Sequence, residues 1–255
     1  MKGPIEKIDV TFYNGKETSM VSEPVIRERL LDIFLNDSRI ATIACTGIHI
    51  EELATGFLRS MGVLNTRDDI EAITVSPEGS RVDILTQCPG QGGHDPSDLF
   101  ILSSGAKARG SRQKKDLVTS DTSISAKKAI EFMEKLLSSS QLHKETHSTH
   151  CSALADTEKM IVLRDDIGRH NTIDMLGGYA LLAGIDCSDK IIVKTGRFSS
   201  EIAEKAWMLG IPIVISHSVP TSEAVDIVRE AGITLIGHVR GGTCKVYSNE
   251  RRVRF

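Results

Sequence analysis

Residues 190–216 read KIIVKTGRFSSEIAEKAWMLGIPIVIS, and two short apolar runs in this segment enclose a helical pattern over 199–209. Both runs are continuously apolar rather than alternating, as in strands whose two faces are both covered. Strands of this kind joined by one helix are typical of parallel strands in an α/β protein. The segment therefore predicts an α/β fold.

The same pattern extends in both directions along the chain. MIVLR at 160–164 and ITLIGHV at 233–239 are further apolar strands, and helical stretches at 168–183 and 221–231 alternate with them. Strands and helices that alternate in this way predict a parallel or mixed sheet that is covered on both faces.

The N-terminal half has a different organisation. Two strands are predicted within 29–48, around a turn at Asn36-Asp37-Ser38, and two more within 71–87. Between the pairs, apolar residues recur at helical spacing: Leu53, Ala54, Phe57, Leu58 and Met61. This arrangement predicts a smaller α+β lobe.

A polar, glycine-rich segment at 88–118 follows, and loops of this length are usually functional or disordered. After it, a helix is predicted to begin at a cap formed by Ser123 or Ser125. We therefore predict an N-terminal lobe over 1–120, which includes the flexible loop, and an α/β domain over 121–255.

The composition is that of an ordinary globular protein. The 255 residues are 40% hydrophobic and 25% charged, with a formal net charge of −3, so neither nucleic acid nor a membrane surface is an expected partner. The first residues lack a signal-peptide core, no apolar run is long enough to span a membrane, and the five cysteines are scattered. These features predict a cytoplasmic protein with free thiols.

Two strand-to-helix connections have the same pattern. VKTGRFSSEIAEKA at 193–206 and VISHSVPTSEAVDIV at 214–228 each run from a strand through a tight turn to a capped helix. Parallel strands bring such turns to one sheet edge, where helix starts offer free N–H groups to an anion. Arg197 and Arg240 would add charge there. The plainer alternative is two ordinary capped helices. On the anion hypothesis the binding residues are Gly196, Arg197, Ser199, Thr221 and Ser222.

HKETHSTHC, residues 143–151, holds three histidines and a cysteine in nine positions. If the segment is helical, His143, His147 and His150 lie on one face, a spacing that suits zinc. The same spacing would suit a histidine that lowers the pKa of Cys151. A third possibility is that the segment only ends a helix.

Several motifs together resemble the formate dehydrogenase accessory protein FdhD family. RDDIGRHNTIDMLGG at 164–178 is followed by TGRFSSEIAEKA, SVPTSEAV and GHVRGGTCKVYS in the family's order. The N-terminal lobe contributes Asn36 in FLND, Cys45-Thr46 and EELATGFLRSMG. The resemblance covers about residues 29–248.

The resemblance implies a sulfurtransferase-like sulfur carrier for molybdenum or tungsten formate dehydrogenases. Such a protein accepts sulfur from a cysteine desulfurase and passes it to bis(molybdopterin guanine dinucleotide) before the cofactor enters the formate dehydrogenase catalytic subunit. The implied fold is a homodimer with a cytidine-deaminase-like, three-layer α/β domain and a smaller lobe. GDP would be a mimic of the cofactor. The implied cofactor loop comprises His238, Val239, Arg240, Gly241, Gly242 and Thr243.

The sequence departs from the family pattern at the sulfur-carrying loop. ILSSGAKARGS at 101–111 keeps Ser103 and Ser104, but Gly105 or Ala106 stands where the family has a cysteine. A persulfide needs a thiolate, which neither residue supplies. In addition, Met175 replaces the usual lysine of the family, a lost charge that would weaken or retune cofactor binding.

Cys151 is then a candidate replacement nucleophile, activated by His150 or His147, and the alternative is a buried small residue. His150 and His170 are the other candidate catalytic residues. Arg169 precedes His170 in GRHN, and we expect it to contact the cofactor.

No metal site is predicted, because Cys-x-x-Cys is absent from the chain. The alternative function is cofactor binding and delivery without sulfur carriage. A metal hydrolase is a third possibility, and it would require bound zinc.

Overall fold

A computed structural model describes residues 3–87 and 116–255 of the chain. The helices in these ranges are α1 Ile50–Ser60, α2 Ala126–Ser139, α3 Gln141–Thr146, α4 Arg169–Leu182, α5 Ser200–Met208 and α6 Ser222–Glu230. The N-terminal strands are β1 Ile5–Tyr13, β2 Thr18–Ile26, β3 Arg29–Leu35, β4 Ser38–Cys45, β5 Ile70–Val75 and β6 Arg81–Thr86. The later strands are β7 Ile124–Ser125, β8 His150–Ala155, β9 Met160–Asp166, β10 Ile191–Lys194, β11 Ile213–Ser216, β12 Thr234–Arg240, β13 Thr243–Ser248 and β14 Val253–Arg254.

The larger sheet has six strands in the order β13-β12-β11-β10-β8-β9. β10, β11 and β12 are parallel to one another, while β8, β9 and β13 pair antiparallel with their neighbours. The prediction of a mixed sheet is therefore confirmed. Its three parallel strands are the apolar runs recognised in the sequence, joined through α5 and α6.

Helices cover both faces of this sheet and form three layers. On one face α2 packs over a core that includes Ile191, Ile213 and Ile236. On the other face α4, α5 and α6 enclose a second core with Ile192 and Val214 at its centre. The alternation of adjacent residues between the two cores explains why the strands are apolar throughout. The predicted α/β fold class is confirmed.

The N-terminal lobe is built on a four-stranded sheet in the order β4-β3-β6-β5, with α1 packed against it. Asn36 and Asp37 adopt positive φ angles of 46° and 66°, so the predicted turn joins β3 to β4. The Asn36 side chain also donates to Thr86 Oγ1 at 2.8 Å and accepts from Thr86 N at 2.9 Å. These two bonds tie the hairpin to β6.

Helix α4 is buried on nearly every side, with eleven of its fourteen residues buried. Met175 and Leu181 belong to the N-terminal core, whereas Ile173 and Leu176 belong to the core under the larger sheet. Helix α1 lies against α4 so closely that Gly56 and the α4 glycine Gly178 are each in contact with the backbone of the other helix. One helix therefore joins the two cores.

Residues 116–120 lie on the α/β domain rather than on the N-terminal lobe. Val118 is in the core beneath α5 and α6, and its amide donates to Ala231 O at 2.9 Å. The buried Arg252 guanidinium donates to Val118 O and Ser120 O at 3.1 and 2.9 Å. Residues 116–120 therefore pack with the α/β domain, although the prediction assigns them to the N-terminal lobe.

An N-terminal hairpin of β1 and β2 forms a separate two-stranded sheet, which the sequence reading did not predict. Among the described helices, none is both long enough and apolar enough to span a membrane.

Candidate functional site

The candidate site lies at the edge of the larger sheet where the parallel strands end. Because β8 runs antiparallel to β10, its first residues lie at the same edge, with Ser152 paired to Lys194. β9 ends there as well, and His150 is paired with Asp166. The topology therefore gathers the histidine-rich stretch, the aspartate pair and the predicted anion-binding turns at one place.

The turn after β10 is organised by Lys194. This lysine is fully buried, and its Nζ donates to the carbonyl oxygens of Thr195, Gly196 and Arg197 at 2.6, 2.9 and 3.2 Å. Gly196 has a φ of +74°, a conformation that L side chains rarely adopt. A Cβ at this position would also lie 3.0 Å from His150 Nδ1. The turn therefore requires glycine for conformation and for space.

Helix α5 begins at this turn with Ser199 as its N-cap residue. The Ser199 side chain makes no capping hydrogen bond, and its Oγ is buried without a partner. In the first helical turn, Glu201 Oε2 lies 3.3 Å from His170 Nε2. The expected serine cap is thus correctly placed, but its hydroxyl remains available to another group.

Asp166 holds the start of α4 in place. Its carboxylate accepts from Thr46 N and Oγ1 at 2.8 and 2.9 Å, from Gly168 N at 2.9 Å and from Asn171 Nδ2 at 2.6 Å. Thr46 follows β4 in the N-terminal lobe, so this one carboxylate links the lobe to the loop that presents Arg169. The motif residues Asp166 and Asn171 therefore position the site rather than line it.

Positively charged side chains surround the site, and its two histidines are neutral. Burial lowers the pKa of His170 to about 3, with smaller contributions to that fall from Lys205, Arg169, Lys194 and His150. Burial also lowers the pKa of His150, with Lys194, Arg169 and His143 acting in the same direction. Both imidazoles are therefore uncharged at neutral pH. Arg169 Nε is buried without a hydrogen-bond partner, which leaves one donor for a ligand, and His170 Nε2 makes no hydrogen bond although Glu201 Oε2 lies 3.3 Å away.

The turn after β11 forms the second part of the same edge. Thr221 caps α6 by accepting from Ala224 N at 3.3 Å, as predicted, and Ser222 is exposed. Beside it, His238 adopts a positive φ of 54° at an irregularity in the pairing of β12 with β13. Burial lowers the pKa of His217, and the positive charge of Arg240 lowers it by a smaller amount. This end of the edge therefore also combines histidine with positive charge.

The predicted loop around Arg240 is a tight hairpin turn. Arg240 pairs with Thr243 across Gly241 and Gly242, which have φ angles of 58° and 71°, and all four residues are exposed. Val239 is different: it is 1% exposed and packs in the core under α2. The expectation that Val239 binds the cofactor is not met by its side chain, which faces the protein interior.

The histidine-rich stretch is not a continuous helix. Helix α3 ends at Thr146, His147 has a φ of 52°, and His150 begins β8. The single helical face that would suit zinc is therefore absent. Within residues 3–87 and 116–255, no group of three or more histidine, cysteine or acidic side chains is arranged to hold a metal. Of the three interpretations, the end of a helix describes this segment.

Cys151 is completely buried in the core under α2, and burial raises its pKa to about 11. Asp165 contributes to this rise, while hydrogen bonds from Thr195 and Ser140 and the charge of Lys194 act against it. The expectation that His150 or His147 favours its thiolate is wrong, because desolvation outweighs every charge nearby. Its packing matches the alternative of a small buried residue.

Two other expectations about the site have different outcomes. The carrier-loop positions Ser103, Ser104, Gly105 and Ala106 lie outside the described residues. Met175 packs in the apolar N-terminal core and is fully buried, so it faces away from the candidate site. A lysine at this position would meet apolar neighbours, and the expectation that Met175 tunes cofactor binding is not supported by its location.

Lys194 and Glu201 were not singled out from the sequence. Lys194 ends an apolar strand, where a lysine usually reaches solvent, and only the fold shows that it is enclosed by the turn it precedes. Glu201 was recognised as a favourable first-turn residue, but its approach to His170 depends on how α4 and α5 pack.

Comparison with known proteins supports one family. The model of the FdhD/NarQ family matches residues 26–254. Sulfur carrier protein FdhD of Bacillus subtilis (strain 168) is 37% identical over 252 residues, covering 96% of each chain. The protein of the same name from Bacillus pumilus (strain SAFR-032) is 36% identical over 248 residues, covering 94% of each.

A similar fold is found in a crystal structure from Desulfotalea psychrophila, described as that of a formate dehydrogenase accessory protein. The TM-score is 0.80 at 23% sequence identity, and the match covers 98% of this chain and 99% of the other. At this level of identity, the likeness supports the α/β fold alone.

Proposed function

The chain belongs to the FdhD/NarQ family, and we propose that it is a formate dehydrogenase accessory protein that binds bis(molybdopterin guanine dinucleotide) as cargo. In the full form of the proposal, it also receives sulfur from a cysteine desulfurase and transfers it to the cofactor before insertion into the formate dehydrogenase catalytic subunit. We propose further that it acts in the cytoplasm as a homodimer.

The observation that carries the binding proposal is the set of unpaired polar atoms at the sheet edge. Arg169 Nε at the start of α4 and Ser199 Oγ at the start of α5 are buried without hydrogen-bond partners, and His170 Nε2 makes no hydrogen bond although Glu201 Oε2 lies 3.3 Å away. Buried polar groups normally have partners, and leaving one unpaired costs about 1–3 kcal/mol. An anionic ligand such as a dinucleotide phosphate would supply acceptors for the donors and would be attracted by the arginines.

GDP binding tests this proposal, since GDP carries the guanine and the phosphates of the cargo without its metal. We expect calorimetry to detect GDP binding that weakens about tenfold or more in Arg169→Ala and in Arg240→Ala, as for the loss of a hydrogen bond to a charged group. Arg39→Ala is the matched control, because Arg39 is exposed at the start of β4 in the N-terminal lobe. Equal GDP affinity in all four proteins would contradict the proposed site.

A second candidate function, cofactor binding and delivery without sulfur carriage, is favoured by the state of the cysteines. Sulfur carriage requires a thiolate that attacks the desulfurase persulfide, so that one S–S bond breaks as another forms. Cys45, Cys151 and Cys187 are buried with raised pKa values, and burial also raises the pKa of half-buried Cys244. None of these four thiols resembles an activated nucleophile.

Intact-mass measurement separates the two functions. The protein is incubated with a cysteine desulfurase and cysteine, and the sulfur-carrier function predicts a gain of about 32 Da for one persulfide. If that gain disappears in Cys151→Ala, the sulfur resides on Cys151. No gain, together with retained GDP binding, would show that the protein binds the nucleotide without carrying sulfur and would favour the delivery function.

A further inference from the structure

A charged lysine is enclosed at the end of β10 without a carboxylate partner. Lys194 is 0% exposed, lies between Ser152 of β8 and Ser216 of β11, and forms no ion pair within the described part of the chain. Burying an unpaired ammonium group is costly, so such residues are uncommon unless hydrogen bonds compensate.

Three backbone carbonyls provide that compensation. Lys194 Nζ donates to the oxygens of Thr195, Gly196 and Arg197, so all three ammonium hydrogens are used. A neutral amine has only two hydrogens and cannot make all three bonds. The observed turn therefore requires the protonated form.

The inward direction of the carbonyls determines where the amides point. In a trans peptide the C=O of one residue and the N–H of the next point in opposite directions, and no cis peptide occurs in the described residues. The amides of Gly196 and Arg197 therefore point away from Lys194. Neither amide donates a hydrogen bond to any described residue. Consecutive outward amides of this kind form an anion-binding concavity.

Independent side-chain atoms surround the same turn. His150 and Arg169 both lie close to Gly196, where an added Cβ would be 3.0 Å from His150 Nδ1 and 3.4 Å from Arg169 Cβ. His170 is 9% exposed, and its Nε2 makes no hydrogen bond although Glu201 Oε2 of α5 lies 3.3 Å away, while the buried Ser199 Oγ at the start of α5 has no partner. Together with the outward amides, these side-chain atoms indicate a ligand-binding turn and not only the start of a helix.

We propose that Lys194 is a positioning residue for a phosphate group of the ligand: its ammonium holds three carbonyls inward and thereby directs the Gly196 and Arg197 amides to the anion. This inference rests on the proposed function, because it takes the nucleotide cargo as the ligand. Lys194 itself does not touch the phosphate.

The geometry makes phosphate binding depend on pH. Burial and, after it, the charge of Arg169 together lower the pKa of Lys194 to about 7, whereas the three carbonyl hydrogen bonds favour the charged form. Loss of the proton as pH rises would break one of the three bonds and release the turn. Phosphate affinity should therefore fall between pH 7 and pH 9.

Other groups near Lys194 do not gain or lose charge in the same way over this range. Burial lowers the pKa values of His150, His170 and His217, so these side chains are already neutral, and the Cys151 thiol has a pKa of about 11. A charged group that acts on Lys194 from a neighbouring helix is Arg169 of α4, whereas Lys205 and Glu201 of α5 act on His170.

The test compares GDP with guanosine, which lacks phosphate, by calorimetry from pH 7 to pH 9. For the natural protein we expect GDP affinity to fall about tenfold or more over this range while guanosine affinity falls less. Lys194→Met should bind GDP about tenfold more weakly at pH 7 and should lose the additional pH dependence. Lys135→Met is the control, because Lys135 is exposed on α2.

Each outcome has one meaning. If Lys194→Met binds GDP with natural affinity and the natural pH profile, the positioning role is wrong while cofactor binding stands. If the natural protein binds neither GDP nor guanosine, the proposed function and this inference both fail. Should Lys194→Met not fold, as shown by circular dichroism, the natural protein's two pH profiles decide, and identical profiles for GDP and guanosine overturn the proposal.

Discussion

Replacing Gly178 by alanine tests the contact between α1 and α4 most directly. An ideal Cβ at Gly178 would lie 1.9 Å from Glu52 O, and one at Gly56 would lie 1.7 Å from Asp174 O. Non-bonded carbon and oxygen atoms approach to about 3.3 Å, so the helices would have to separate locally by about 1.4 Å. The obstructing atoms are backbone atoms, which cannot rotate away as a side chain can.

Two destabilising contributions and one stabilising contribution determine the change in unfolding free energy. Overpacking a tight core costs about 1–3 kcal/mol. Separation of the helices would also weaken the bonds from Arg59 Nη1 to Gly177 O and from Ser60 Oγ to Asp174 Oδ1, now 2.9 and 2.7 Å long, each worth about 1 kcal/mol. Alanine regains about 1 kcal/mol of helix propensity. For Gly178→Ala we expect a net loss of about 3 kcal/mol in unfolding free energy.

Urea unfolding followed by circular dichroism measures this loss, and a midpoint about 1 M lower is expected. Gly177→Ala is the matched control on the same helix. Its added Cβ would lie 2.9 Å from Leu209 Cδ2, a methyl group at the end of a flexible side chain. This variant should be within about 1 kcal/mol of the natural protein. Equal midpoints for Gly178→Ala and Gly177→Ala would refute the reasoning.

Three further predictions concern buried polar groups. Asp166→Asn should cost about 2–4 kcal/mol of unfolding free energy in urea, because an amide NH2 would face donors that now bond to a carboxylate oxygen. Iodoacetamide at pH 8 should modify half-buried Cys244 well before buried Cys151, whose pKa of about 11 keeps it protonated, as followed by peptide mass mapping. Arg252→Met should speed hydrogen exchange of the amides in residues 116–120, since it removes donors to the carbonyls of that segment.

Matched variants sharpen two of these tests. Asp165 accepts one bond from the Ser140 hydroxyl, which can also act as acceptor, so Asp165→Asn should be much milder than Asp166→Asn. A similar loss in both variants would contradict the role given to the Asp166 network. Arg251 is exposed beside Arg252, and Arg251→Met should leave exchange over 116–120 unchanged. Rapid alkylation of Cys151 in the folded protein would contradict its burial.

Much of the larger sheet was predictable because its parallel strands carry an unambiguous pattern. The runs at 191–194 and 213–216 are apolar on both faces, and their helices begin at recognisable caps. β8 was missed because its first residues belong to the histidine-rich stretch, whose spacing fits a helix. Pairing with β9 and β10 overrides that local preference. The N-terminal hairpin was missed because its strands mix apolar with charged residues and β2 contains Pro24.

The site was predictable as a set of turns but not as a set of contacts. Parallel strands place Gly196, Arg197 and Thr221 at one edge wherever the fold occurs. Lys194 binds backbone carbonyls, and Asp166 binds Thr46 of the other lobe as well as its motif neighbour Asn171, so no side-chain pattern indicates the complete set of partners. Cys151 shows the reverse case: its histidine neighbours suggested a reactive thiol, but the strand places it in an apolar core.

The position of α4 between two cores has a consequence for how the chain can be divided. A fragment of residues 116–255 would expose Met175 and Leu181 to water, while residues 1–87 would lack the helix that covers α1. Neither fragment should fold alone. Expressed together, the two should recover the fold by complementation, since each supplies the apolar face that the other needs.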